Sequence, residues 1–205
     1  MDERHGVRTE PQQARSSLKR ELILDAAQAL IFERGYGALT IALVARRAGI
    51  GKQTVYQMFA HKEAILFALC ERKSDRIDAH SSAYMAQAAP KGWREMVRAS
   101  FVSFYEINRE DPSLDPIFIA SQDVPALRLL DMEQNKSRVM SATALFSGLT
   151  GLENDQTLFE FTLSVTIAAA SITRHALMYD DAVGRRLVEQ HVISTIHRLE
   201  GMGAK

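Results

Sequence analysis

The chain has 205 residues, 46% of them hydrophobic, which is enough for one large or two small domains with a buried core. The formal net charge of zero excludes a uniformly basic protein. Residues 1–73 nevertheless contain twelve Lys or Arg and eight Asp or Glu, a net charge of +4, whereas residues 74–205 contain thirteen and seventeen, a net of −4. The positive charge is therefore concentrated at the N-terminal end, as in a nucleic-acid-binding module.

Cysteine content and apolar segments indicate the cellular compartment of the protein. Cys70 is the only cysteine, so the chain can form neither an internal disulfide nor a cysteine-based zinc site, and a reducing cytoplasm is expected. Residues 1–20 lack the apolar core of a secretory signal. The longest apolar stretch, 161–172, is too short to span a bilayer, so no membrane partner is expected.

The first elements in chain order are an arm and three short helices. Polar residues 1–16 predict a flexible basic arm, in which Arg4, Arg8 and Arg15 could reach DNA, although a solvated tail explains them equally well. Apolar residues at helical spacing predict a first helix from about Ser17 to Gly35. They are Ile23, Ala26, Ala27 and Leu30.

Two capping signals follow at short spacing. Thr40 can cap a second helix over 41–48, and Gly49 can end it in a left-handed turn. A third helix, 52–57, is short and polar outside, which suits the major groove of DNA. This pattern of three helices predicts a helix-turn-helix.

These residues resemble the TetR-type transcriptional regulators over about a quarter of the chain. The resemblance is carried by ILDAA at 23–27, LIFERGY at 30–36, Thr40, Val44-Ala45, Ala48-Gly49, Tyr56, Phe59 and Lys62-Glu63. One departure is Gly51, which stands where the third helix usually begins with Ser or Thr. The resemblance implies an all-α fold in which a helix-turn-helix module at 17–62 is followed by a helical ligand-binding and dimerisation domain at 63–205.

Candidate DNA contacts lie in and around the third helix. Lys52, Gln53 and Thr54 occupy its first turn, from which Gln can pair with adenine and Lys can reach guanine. The resemblance implies that Tyr56 meets a phosphate and that Thr40 and Lys62 clamp the backbone on either side. Two flanking residues, Arg46 and His61, are further candidates, with solvated surface positions as the alternative. The remaining large side chains are assigned to the core of this module: Phe32, Tyr36, Val55 and Phe59.

Helical stretches separated by compact breaks continue to the C-terminus. A long helix over about 61–88 bridges the two modules and ends at Pro90. Further helices are predicted at about 92–109, 116–122, 125–147, 156–179 and 182–199, and Gly148 and Gly151 bracket the stop that follows the third of them. No stretch has the alternation of a strand.

Large, adaptable side chains in the C-terminal domain suit a cavity for an apolar or aromatic ligand, although ordinary core packing explains most of them equally well. The apolar and aromatic candidates are Trp93, Met96, Phe101, Phe104, Tyr105, Phe118 and Met140. Arg174 and His175 interrupt an apolar helix and are candidate polar pocket contacts, with a surface or interface position as the alternative.

Apolar and small residues in the last two long helices predict a homodimer interface, and the resemblance implies a four-helix contact with two helices from each chain. The candidate interface residues are Phe161, Val165, Ala169, Ile172, Leu187, Val188, Val192 and Ile196.

The sequence thus predicts a homodimeric repressor that binds double-stranded DNA at a palindromic operator and is released by a small-molecule effector. An activator and a ligand sensor without operator specificity are alternatives. A helical-bundle enzyme is disfavoured, because the chain lacks a phosphate-binding glycine loop, a GxSxG motif and paired ExxH motifs. No cofactor or metal is expected.

Overall fold

The computed structural model describes residues 12–204. This part of the chain contains nine α-helices, two short 3-10 turns and no strand, which confirms the all-α prediction. The helices are α1 (Gln12–Arg34), α2 (Ile41–Ala48), α3 (Lys52–Met58), α4 (Lys62–Ala88), α5 (Trp93–Glu110), α6 (Leu114–Gln122), α7 (Pro125–Thr150), α8 (Gln156–Ala176) and α9 (Asp181–Gly201).

The turns of the helix-turn-helix follow the predicted capping signals. Gly35 and Gly49 have φ angles of 73° and 65°, in the left-handed region that glycine adopts without steric cost. The Oγ1 atom of Thr40 accepts a hydrogen bond from the Leu43 N–H at 3.2 Å and thereby caps α2. These local interactions fix where α2 begins and ends.

The N-terminal boundary of α1 differs from the prediction. The helix begins at Gln12, about five residues before Ser17, because the intervening Gln, Ala and Arg residues are good helix formers. Arg15 therefore lies on α1 and not in an arm, while Arg4 and Arg8 lie outside the described residues.

Two C-terminal boundaries also differ. Helix α7 runs three residues past its predicted end at Ser147 and past Gly148 to Thr150, and it ends at Gly151, the second of the two bracketing glycines, whose φ is 73°. One glycine in an exposed helix interior weakens the helix without breaking it. The regular part of α8 ends at Ala176, three residues earlier than predicted.

The first hydrophobic core lies between helices α1, α2, α3, α4 and α6. Ile23, Val44 and Leu66 are fully buried in it, and Ile117 and Ala120 of α6 pack into the same cluster. Val55 and Phe59 are buried as predicted, and Tyr36 is half-buried against them. The assignment of Phe32 to this core is wrong: its side chain is 54% exposed, because Ile31 takes the inward position beside it.

The second core lies between α5, α7, α8 and α9. It contains five of the eight residues of α8 and α9 that the sequence assigns to a dimer interface: Phe161, Val165, Ala169, Val188 and Val192. Those side chains pack against the helices of their own chain, so their contact with a second subunit stays a prediction that this structure does not support. Ile172, Leu187 and Ile196 are half-buried.

The residues that the sequence predicts to line a ligand cavity do not lie together in the structure. Trp93, Phe101 and Tyr105 belong to the second core, and Met96 lies in a small cluster with Ala88 and Ala99. Phe104 and Phe118 are half-buried.

Two of the predicted ligand residues have side chains that face solvent, and their role in a pocket stays a prediction. Met140 is 55% exposed on the outer face of α7, and His175 is exposed on α8, where its Nδ1 lies 2.8 Å from the Ser171 carbonyl. Arg174 points instead towards α6, where its Nε donates to Asp115 at 2.8 Å.

The surface cavities of the described part of the chain include two that none of the predicted ligand residues lines. One, of about 440 Å³, lies on α9 between Gln190 and Arg198. The other, of about 390 Å³, lies between α1 and α4 beside Phe32 and Arg72. Within residues 12–204, no helix is both long enough and apolar enough to cross a membrane.

Candidate nucleic-acid interface

Helix α3 presents a polar outer face on a buried anchor. Val55 is fully buried in the first core and holds the helix in place. Lys52 and Gln53 are exposed, Thr54 is half-buried, and Tyr56 is 48% exposed. The predicted base-reading and phosphate-binding residues of α3 are therefore accessible, with Thr54 the least so.

Two of the exposed side chains of α3 lie against each other. The Nζ atom of Lys52 is 5.7 Å from the centre of the Tyr56 ring, within the range of a cation–π contact. This contact keeps the ammonium group and the phenol on the same side of the helix. Gly51 precedes the helix and makes no side-chain cap.

Thr40 and His61 flank α3 at the N-termini of α2 and α4, and each uses one side-chain atom as a cap. The Thr40 oxygen accepts from Leu43, so its own hydroxyl proton remains able to donate. The Nδ1 atom of His61 accepts from the Ala64 N–H at 3.2 Å and also lies 3.2 Å from a Glu63 carboxylate oxygen, so Nε2 is the ring nitrogen left to face an anion. Each residue thus retains a donor for an anion near a helix N-terminus.

Lys62 is positioned by a tyrosine that the sequence analysis assigns to the core. Its Nζ lies 4.5 Å from the centre of the Tyr36 ring, and the Tyr36 hydroxyl donates to Glu63 at 3.3 Å. Burial and the Glu63 carboxylate raise the pKa of Tyr36, so the phenol stays protonated. Hydrogen bonding from its own backbone N–H is the main cause of the lowered pKa of Glu63.

The two arginines at the end of α2 have different roles. Arg47 donates to both carboxylate oxygens of Glu33 in α1 at 2.6 Å, a bidentate pair that tethers α2. The hydrogen bond from Arg47 lowers the pKa of Glu33. Arg46 is exposed and forms no ion pair with another residue of the described range, which leaves it accessible to an anion. Sequence reasoning missed the Glu33–Arg47 pair, because residues separated by a turn leave no periodic signal.

The surface around α3 can therefore provide two kinds of contact. Hydroxyl, imidazole and ammonium donors at Thr40, His61 and Lys62 suit phosphate oxygens, whereas the amide of Gln53 suits base edges. Among residues 12–204, no cluster of three or more His, Cys, Asp or Glu side chains could hold a metal ion.

A family model agrees with this geometry. The model described as "Bacterial regulatory proteins, tetR family" matches residues 23–69, which include α2, α3 and the first turns of α4. The match covers the whole candidate interface.

Two curated relatives are transcriptional regulators. The chain is 31% identical over 102 residues to the HTH-type transcriptional regulator AlkX of Mycobacterium tuberculosis, an alignment covering 49% of this chain and 47% of AlkX. It is 34% identical over 87 residues to the class D tetracycline repressor protein of Escherichia coli, covering 42% of this chain and 38% of the repressor. The chain thus matches less than half the length of either relative.

A solved structure extends the similarity in fold to most of the chain. The SmeT–triclosan complex superposes with a TM-score of 0.68 at 18% identity, covering 88% of this chain and 91% of that one. At this identity the similarity establishes the fold alone.

Proposed function

We propose that the chain, whose residues 23–69 match the model of the tetR family of bacterial regulatory proteins, is a member of that family and a DNA-binding repressor released from its operator by a small ligand. The observation that carries the proposal is the polar face of α3, flanked by the caps Thr40 and His61 with their remaining donors. A face of this kind supports phosphate binding on both sides of a helix that lies in the major groove. The tetracycline repressor similarity supports repression over activation.

Dimerisation through the outer faces of α8 and α9 is part of the proposal. Ile167 on α8 is 56% exposed and Ile193 on α9 is 44% exposed, although both helices bury their other face in the second core. Small exposed residues, Ala170 and Ser171, lie on the same side of α8 and permit close helix approach. A symmetric dimer would require a palindromic operator, because each subunit reads one half-site.

Ligand release requires a connection between the two modules, and α4 supplies one. Arg72 of α4 donates to Asp25 at 2.7 Å and to Glu21 at 3.1 Å, both in α1. One turn later, Arg76 donates to Asp111, which precedes α6. A ligand that favours another position of α4 would therefore act on the helix-turn-helix directly. The triclosan complex of a protein with this fold supports an aromatic effector.

Selection of bound fragments from random double-stranded DNA, followed by gel-shift measurement, tests the DNA-binding proposal. We expect one enriched sequence with two-fold symmetry. Uniform retention of fragments without an enriched sequence would contradict the proposal, and so would the absence of any shifted complex at micromolar protein.

A further inference from the structure

One face of α4 points into the regulatory module and combines polar with apolar groups. Lys73, Ile77, His80 and Tyr84 follow the spacing i, i+4, i+7, i+11 and are all partly buried; we name them the α4 stripe. Residues beside the stripe contact the surrounding helices: Ser74 bonds Gln134 of α7, and Ser81 bonds Ser103 of α5. The α4 stripe thus lies beside α5, α6 and α7, and each of its residues is partly buried.

Lys73 carries a positive charge without a carboxylate partner. Its Nζ lies 4.8 Å from the centre of the Phe118 ring of α6, and it forms no ion pair with any residue in the described range. Asp131 and Asp115 both lie near enough to favour the charged ammonium, but Asp131 accepts a hydrogen bond from Gln122, and Asp115 is paired with Arg174, whose guanidinium also lies 4.7 Å from the Phe118 ring. Burial is the main cause of the lowered pKa of Lys73, and it outweighs the effect of the two carboxylates, neither of which forms an ion pair with the ammonium.

His80 is a second group on the α4 stripe with an unused polar atom. Its Nε2 is buried and has no hydrogen-bond partner among residues 12–204. Its ring stacks on Tyr84 with centres 4.9 Å apart, which forms a flat aromatic surface. Buried polar atoms in native proteins are almost always paired, so an unpaired one calls for an explanation.

We propose that the α4 stripe binds an effector with a carboxylate head and a flat apolar body. The carboxylate pairs with the Lys73 ammonium, the apolar body lies along Ile77 and the His80–Tyr84 stack, and a polar substituent of the body bonds His80 Nε2. Seven residues of helix separate Lys73 from His80, about 10 Å at 1.5 Å per residue, which suits an elongated molecule. This inference rests on the proposed function, because it assigns the chemistry of the effector.

The position of Lys73 also gives the ligand a route to the DNA-binding module. Lys73 follows Arg72, which bonds Asp25 and Glu21 of α1. An anion that draws the Lys73 ammonium away from Phe118 therefore acts on the part of α4 that holds α1.

The test compares matched carboxylic acids and their neutral primary amides, for example biphenyl-4-carboxylic acid and biphenyl-4-carboxamide, within a panel of aryl and alkyl bodies. Binding is measured by calorimetry on the full chain. We expect at least one acid to bind at least about tenfold more tightly than its amide, equivalent to about 1.4 kcal/mol. Lys73→Met keeps the alkyl stem and should abolish this preference, whereas Lys136→Met, on the exposed face of α7, should leave it unchanged.

Three results would overturn the inference: no acid binds, acids and amides bind equally, or Lys73→Met retains the preference for the acid. A second readout needs no ligand. Because Lys73→Met removes an unpaired charge, it should raise the midpoint of thermal unfolding by about 2 to 4 °C. A lower midpoint would mean that Phe118 already satisfies the ammonium. Loss of operator binding in the wild type would instead contradict the proposed function and leave the acid preference measurable.

Discussion

Several residues around α3 both stabilise the fold and contribute to the proposed DNA-binding surface. Thr40 and His61 each hold a helix N-terminus with one atom and keep a donor on another, while Tyr36 holds Lys62 through its ring and Glu63 through its hydroxyl. Substitutions at Thr40, His61 or Tyr36 would therefore change stability together with DNA binding. The side chains of Gln53 and Lys62 cap no helix and give cleaner tests.

Gln53→Ala should reduce sequence discrimination, because its amide is proposed to bond a base edge. We expect a loss of about 1 to 3 kcal/mol on the selected operator and almost no change on random DNA. Gel-shift titrations on both DNAs measure the difference. Gln156→Ala, at the start of α8 and bonded to Glu160, is the matched control and should change neither affinity. Equal losses on both DNAs would mean that Gln53 contacts the backbone.

Lys62→Ala should weaken binding to every sequence by a similar factor, because its ammonium is proposed to bind a phosphate. The slope of log affinity against log salt should fall in magnitude by about 0.9 for each lost contact, or by about two units in a dimer. Salt titrations on operator and random DNA measure both effects. Lys136→Ala on α7 is the control of equal charge, and an unchanged slope in Lys62→Ala would contradict the phosphate assignment.

At the scale of elements, helix ends in the first module could be predicted because their signals are local. Thr40, Gly35 and Gly49 act within one turn of the backbone they cap, so a single sequence reveals them. Gly148 and Gly151 could not be told apart in this way. Both permit a stop, and only the backbone conformation of the finished helix shows that Gly151 takes the left-handed position.

The two glycines of α7 should respond in opposite directions to alanine. Gly148 lies within the helix, and a methyl group added there would meet no neighbouring atom within 4 Å, so Gly148→Ala should stabilise the chain by about 0.5 to 1 kcal/mol. Gly151 has a φ of 73°, so Gly151→Ala should destabilise it by about 1 kcal/mol. Chemical denaturation measures both changes, and shifts of the same sign would contradict the helix boundary.

The packing of α9 should make stability depend on pH through His191. Its Nε2 lies 3.1 Å from the Val165 carbonyl of α8, and its ring packs edge-on against Phe101 of α5. Burial lowers the pKa of His191, so below pH 6.5 the unfolded chain binds a proton that the folded chain does not. The stabilisation is complete above pH 6.5 and is lost as the pH falls towards the folded-state pKa.

Thermal unfolding at pH 7.5 and 5.5 measures the effect. The wild type should lose more stability between these values than His191→Gln, which keeps a donor near the Val165 carbonyl. His197→Gln, at an exposed position of α9, should behave like the wild type. An identical pH dependence in the wild type and His191→Gln would show that His191 titrates normally in the folded state.

At the scale of the whole molecule, the sequence indicated that α8 and α9 are apolar, but it could not assign their faces. Phe161, Val165 and Ala169 point into the chain's own core, whereas Ile167 points outward. A helix that packs on its own bundle and against a second subunit is apolar on both sides. Its periodicity therefore does not identify which residues meet the partner. Long-range pairs such as Arg174–Asp115 could not be predicted either, because two residues 59 positions apart in the chain leave no periodic signal in the sequence.

Dimerisation should depend on the outward residues of these helices. Ile167→Arg should convert the dimer into a monomer, because a charged side chain cannot pack in an apolar, closely approached interface. Leu129→Arg, on an exposed position of α7 outside the proposed interface, is the matched control and should stay dimeric. Size-exclusion chromatography with light scattering measures the mass, and a dimeric Ile167→Arg would place the interface elsewhere.

The central claim is that the chain binds DNA with sequence specificity through α3. The most direct test is the ratio of its dissociation constants on a scrambled and on the selected operator of equal length, measured at physiological salt. The account predicts a ratio of at least about a thousand for the wild-type protein. A ratio near one would mean that the charged surface around α3 holds DNA without reading it, and would contradict the account.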